Sequence, residues 1–173
     1  MISTTQVRNG FSKDLMQMVL SRGDTATRAL WNSMMAVAAI HYSEKAVALT
    51  YMTNAFRWLS ASLSPGRNAN TMELNETHFA TCMMLCTYSV FDETDSHWLT
   101  HLNGAKSMLQ KLYPDHKKHI KADFLFTWFL YHEVLACFAQ PLRQANNCLD
   151  VLLLLKTSDC DSTLVGHDKI CSE

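Results

Sequence analysis

The sequence predicts an all-α fold, an antiparallel helical bundle or array of five to six helices joined by short loops. Three observations carry that reading. Proline occurs only at positions 65, 114 and 141, each at the end of an apolar segment, where a residue without a backbone donor stops a helix. Residues 24–64 and 68–113 lack proline and, apart from Gly104, glycine, and their apolar residues recur at three- and four-residue steps. Alternating apolar and polar runs are scarce, and no Asn-Gly or Asp-Gly pair sits between two of them.

The elements follow in order. Residues 1–23 read as a mobile N-terminal arm or a first short helix, residues 24–156 as the helical domain, and residues 157–173 as a loop or tail. From 24 to 42, Ala26, Leu30, Met34, Val37 and Ile40 form one face. Trp31, Met35, Ala36, Ala38 and Ala39 fill much of the rest, which predicts a central helix. Arg28, Asn32, Ser33 and His41 interrupt it, so it does not read as a membrane span. Residues 44–63 repeat the period through Ala48, Met52, Ala55, Phe56, Leu59 and Leu63, and stop at Ser64-Pro65-Gly66. A polar loop at 67–70 precedes a third helix beginning near Glu73 and Glu76, acids suited to the positive end of the helix dipole. Its stripe is Phe79, Cys82, Met83, Cys86 and Val90.

Residues 92–96 read as a turn, with Asp95 or Ser96 as N-cap of the helix carrying Leu99, Leu102, Ala105, Leu109 and Leu112. A polar linker at 115–121 leads to residues 124–139, the most aromatic stretch. It is apolar nearly all round, and is therefore also expected at the centre. Residues 148–155 suggest a short buried helix, and residues 157–163 a loop.

Composition bounds the function. The 173 residues, 48% hydrophobic and 18% charged, suit one domain whose core needs no disulfide or metal staple. A net charge of −1 offers no strong field for nucleic acid or anionic lipid. The N-terminus lacks a basic start followed by an apolar stretch, so no secretory signal is expected and the chain reads as intracellular. In that compartment Cys82, Cys86, Cys137, Cys148, Cys160 and Cys171 read as free thiols. The sequon Asn75-Glu76-Thr77 is then without consequence.

No reactive constellation is complete. His132-Glu133-Val134-Leu135-Ala136 begins like a zinc-protease helix, but Ala136 stands where the second histidine ligand belongs. His97 and His101 stand one turn apart, with Asp92, Glu93 and Asp95 upstream. They support an alternative reading as a helical metalloprotein or metal-dependent hydrolase, although a structural zinc needs four ligands. Cys82 and Cys86 are spaced neither as a zinc ribbon nor as a redox pair. There is no nucleophile elbow and no glycine-rich phosphate loop. The basic cluster at 115–121 has neither arginine nor an aromatic residue for stacking on bases.

Two blocks nonetheless carry a resemblance. Residues 96–109 hold His97-Trp98 followed by His101-Leu102-Asn103-Gly104-Ala105, and residues 128–136 read Trp128-Phe129-Leu130-Tyr131-His132-Glu133-Val134-Leu135-Ala136. Together they resemble the fungal-specific transcription factor domain, the regulatory or middle homology region found C-terminal to the binuclear zinc cluster. Arg57-Trp58-Leu59 and Leu85-Cys86-Thr87-Tyr88 are similar to its preceding helices, and residues 161–166 to the turn that follows, so the resemblance spans residues 24–170.

The resemblance implies a nuclear, non-enzymatic regulatory module with no cofactor. Its expected partners are a small-molecule effector, other transcription-factor segments or proteins of the transcription machinery. It also implies a structural role for His97, Trp98, His101, Leu102, Gly104, Ala105, Trp128, Phe129, Tyr131, His132 and Glu133, with Gly104-Ala105 admitting a neighbouring helix. The first cysteine is Cys82, so no residue of the zinc cluster carries over, and direct DNA binding by this chain is not expected. The chain resembles the front part of such a region, truncated at its C-terminal end. Helix faces left uncovered in that way are expected to promote self-association.

Overall fold

The computed structural model describes residues 10–21, 23–64, 74–92, 97–113 and 124–139, and every regular element among them is helical. A π-helical turn, Phe11–Leu15, runs into α1 (Met16–Ser21). It is followed by α2 (Thr25–His41), α3 (Lys45–Leu63), α4 (Glu76–Phe91), α5 (Trp98–Leu112) and α6 (Phe124–Ala139). The expected loops at 67–70 and 157–163, the linker at 115–121, the helix at 148–155 and the family-like turn at 161–166 lie outside the described residues. No helix among the described residues is long and apolar enough to cross a membrane.

Local chemistry sets the helix ends. Asp24 caps α2, its carboxylate accepting the Thr27 N–H at 2.8 Å. The α2–α3 hairpin closes over three residues. Ser43 adopts φ 62°, a left-handed conformation more often given to glycine, and the Glu44 N–H donates to the Ala39 carbonyl at 3.0 Å. Helix α4 opens on a capping box. The Asn75 side-chain oxygen accepts the Thr77 and His78 N–H groups at 3.1 and 3.3 Å, while His78 Nδ1 accepts the Asn75 N–H at 3.2 Å. The sequon asparagine thus has a folding role that its triplet alone did not suggest. Helix α5 begins later than expected: His97 holds the N-cap position without a side-chain capping bond, whereas Asp95 and Ser96 fall outside the described residues.

The centre of the fold differs from the expectation. Residues 24–42 and 124–139 were the predicted central helices, yet α4 holds that place. It packs against α2, α3 and α5, and meets α6 where the rings of Phe79 and Phe129 stand 6.0 Å apart. Eleven of its residues are buried, among them Phe79, Met83, Leu85, Cys86 and Tyr88. Val90, counted in its stripe, is exposed at the C-terminal end, and Phe56 of α3 is exposed beside the His101 ring at 5.5 Å. Helix α2 lies against α3 and α4 but turns Trp31 outward. Helix α6 buries Leu125, Trp128, Phe129, His132, Glu133, Ala136 and Cys137 and leaves Tyr131, Val134, Leu135 and Phe138 exposed. All-round apolarity did not mark the central helix, because an outer helix can be equally apolar.

The N-terminal segment contributes to this core. Leu15 is buried, and Phe11 meets Phe124 and Trp128 edge-on at centroid distances of 4.8 and 5.0 Å. Gly10 lies directly against the Phe124 ring, where a Cβ would overlap it. Gly104 behaves oppositely. No heavy atom among the described residues lies within 4 Å of the Cβ it lacks, so none of the described helices approaches it closely; the buried Ala105 makes the contact with them.

The two glycines should therefore respond in opposite directions to a single methyl group. Gly10→Ala is expected to lower stability by about 1–3 kcal/mol through overpacking. Gly104→Ala is expected to raise it by about 0.5–1 kcal/mol through helix propensity. Chemical denaturation of the two variants reads both signs.

Candidate functional site

Helices α2, α4 and α6 do not close on one another along their whole length. Between them lies an open cavity of about 1030 Å³. Its walls are Val37 and His41 from α2, Met84, Thr87 and Phe91 from α4, and Trp128, His132, Leu135 and Phe138 from α6. Phe11 and Trp98 also line it. Buried Met84 and Trp128 are among its deepest residues, and exposed Phe91, Leu135 and Phe138 are at its rim. The arrangement is a mostly apolar, aromatic surface with a few polar groups, the usual make-up of a site for an apolar ligand or an apolar helix face.

Its polar groups are held in place. The His41 ring rests on Phe91 with centroids 4.3 Å apart, and the Tyr88 hydroxyl donates to the Asp92 carboxylate at 3.2 Å. His132 Nδ1 donates to the Trp128 carbonyl at 3.0 Å. Burial lowers the His132 pKa from 6.5, against the opposing pull of that carbonyl, and so favours the neutral ring.

The signature residues divide between this cavity and the core. Trp98, Trp128, Tyr131 and His132, from two blocks far apart in sequence, converge on the cavity. Leu102, Ala105, Phe129 and Glu133 are buried away from it, while His97 and Gly104 have no place in its lining. The sequence reading missed Val37, His41, Met84, Thr87, Phe91, Leu135 and Phe138 as site residues. The legible signal for part of this set was the apolar spacing of residues 131, 134, 135 and 138.

The other candidates give no assembled centre. Among the described residues no three His, Cys, Asp or Glu side chains are grouped to hold a metal ion. His97 is exposed at the start of α5, His101 packs beside Phe56, and Glu93 and Asp95 lie outside the described residues. Ala136, at the second ligand position of the zinc-protease pattern, is fully buried. Burial pushes the Cys82 and Cys86 thiols up to about 12, so both are protonated and poor nucleophiles near neutral pH. Cys160 and Cys171 lie outside the described residues, as does Cys148.

An all-helical array with an open apolar groove is the class that fold and site define. A family model described as the fungal specific transcription factor domain matches residues 1–167, and the chain belongs to that family. The match takes in residues 10–21, which pack into the core ahead of the stretch where the residue-by-residue resemblance begins. No curated protein and no solved structure matches the chain.

Two buried histidines give the fold a defined pH dependence. His78 Nδ1 accepts the Asn75 N–H, and Nε2 lies 3.1 Å from the Ser62 hydroxyl of α3, an arrangement that requires an unprotonated Nδ1. Burial lowers the His78 pKa from 6.5, with the charge of Asp24 acting in the other direction. For both His78 and His132 the folded pKa lies below the unfolded value. The unfolded chain therefore binds protons that the folded chain refuses, and stability is lost as pH falls through 6.5 toward the folded values. Thermal melting should drop between about pH 7.5 and about pH 5.5, and the drop should be smaller in His78→Gln, which cannot titrate.

Proposed function

We propose that the chain is a non-enzymatic regulatory module of a fungal transcription factor and acts in the nucleus. The observation that carries this reading is the family match over residues 1–167. The groove between α2, α4 and α6 is the site through which the module senses an effector or contacts partner proteins. Supporting this, the groove is open, apolar and of a size suited to a small molecule or a helix face.

The mechanism is a population shift. An effector changes the balance between two states of the module only by the difference in its affinity for them. A ligand seated between α2, α4 and α6 contacts three helices at once, so it responds to their relative positions. A shift there alters which apolar faces are available to the rest of the transcription factor. DNA contact belongs to a different segment. The net charge of −1 and the lack of any cysteine before Cys82 support that assignment.

Two measurements test this reading. In a reporter assay with the chain tethered to an unrelated DNA-binding domain, Leu135→Asp and Phe138→Asp should change output by about fivefold or more at unchanged protein level. Unchanged output from both variants would sink the regulatory role of the groove. The purified chain should show no sequence-specific DNA binding, and tight, salt-resistant binding to one sequence would overturn the assignment of DNA contact elsewhere.

A further inference from the structure

Arg28 of α2 and Arg57 of α3 share one aromatic partner. Their guanidinium carbons lie 5.1 and 5.3 Å from the centroid of the Trp58 ring, both within cation–π range. Trp58 packs against the core, so its ring is a fixed platform, while both arginines are exposed. Helix α2 runs back along α3, which brings a residue near the start of one to a residue near the end of the other. None of the three side chains lines the groove between α2, α4 and α6.

Two cations gathered on one ring repel each other, and a carboxylate beside them would relieve the repulsion. Among the described residues neither guanidinium forms an ion pair or a side-chain hydrogen bond. Asp24, one helical turn before Arg28, is occupied as the cap of α2, its carboxylate accepting the Thr27 N–H at 2.8 Å. Arg28 is the fourth residue of α2, close to the positive end of the helix dipole, where a cation is disfavoured. Both placements work against the charges as they stand and favour a bound anion. A guanidinium over a ring engages its face, and keeps its in-plane N–H donors for a second partner.

We propose that Arg28 and Arg57, held on Trp58, bind a phosphate monoester. Its charge near −2 at neutral pH matches the two cations, and its three terminal oxygens accept from two guanidinium forks at once. A carboxylate is satisfied by one fork. The two guanidiniums are no further apart than the sum of their distances to the ring centroid, and their long side chains let both reach one phosphate. A small phosphate ester and a phosphorylated serine or threonine present the same chemistry to this site. Because the site is separate from the groove, the proposal does not depend on the regulatory reading of that groove.

Titration of the purified full chain with glycerol phosphate at about pH 7.5, followed through the arginine side-chain Nε–H resonances, tests it. The two resonances lost in Arg28→Gln and Arg57→Gln should shift together and saturate with a midpoint of about 1 mM or below. Each of these variants should weaken binding by about tenfold or more, with melting unchanged because both positions are exposed. Arg28→Lys and Arg57→Lys, which keep the charge and lose the fork, should each weaken it by about threefold or more. Succinate, also a dianion, should bind at least about tenfold more weakly. A capped phosphoserine peptide sorts the sources: binding about tenfold tighter than glycerol phosphate assigns the site to a phosphorylated protein segment, and comparable or weaker binding to a small ester. The proposal is overturned if neither resonance shifts by about 10 mM of either phosphate probe. It is equally overturned if both glutamine variants bind as the wild-type chain does, or if succinate binds as tightly as the phosphates.

Discussion

The described fold depends on the burial of the middle of α4. Eleven of its sixteen residues are buried, which requires neighbours on several sides, and α2, α3, α5 and α6 supply them. Phe79, Met83 and Leu85 each contribute about 1.5–3 kcal/mol when taken out of water, which makes the placement strongly favourable once the surrounding helices are present. Burial also imposes a polar constraint on α4's hydroxyls. Thr81, fully buried, meets it within the helix by donating to the Thr77 carbonyl at 2.8 Å, and the partly exposed Thr87 donates likewise to the Met83 carbonyl at 2.9 Å. His78 meets it by closing the capping box and reaching Ser62.

Much of this was legible in the sequence, and the parts that were not have identifiable causes. Pro65 and Pro114 follow the ends of α3 and α5 closely, because a residue that cannot donate a backbone hydrogen bond ends a helix whatever packs around it. The identity of the central helix was hidden because hydrophobicity records how little a segment prefers water, not what covers it. Helix α4 carries threonine, serine and histidine that hydrogen-bond locally once buried, so it reads as less apolar than α6. The N-terminal segment was hidden for a similar reason. The polar residues before Gly10 drew the reading away from Phe11 and Leu15, whose burial depends on Phe124 and Trp128, more than a hundred positions away.

The groove was harder still to foresee, because no single stretch of sequence contains it. It arises where α2, α4 and α6 diverge, and its lining draws on segments separated by dozens of residues. The family-like blocks marked Trp98, Trp128, Tyr131 and His132 without showing that they share a surface. Helix packing is what converts those separate words into one site. Among the described residues the same packing brings nothing close to Gly104, and the contact falls to Ala105 beside it.

The raised thiol pKa values on α4 have a practical side. Cys82 and Cys86 sit in the most enclosed element and stay protonated while it remains enclosed. A thiol-alkylating reagent reaches them when the helices around α4 part, and meets a much more reactive group once that happens. The chain thus carries its own chemical stopwatch: the rate at which these two cysteines are modified counts how often the heart of the domain comes open.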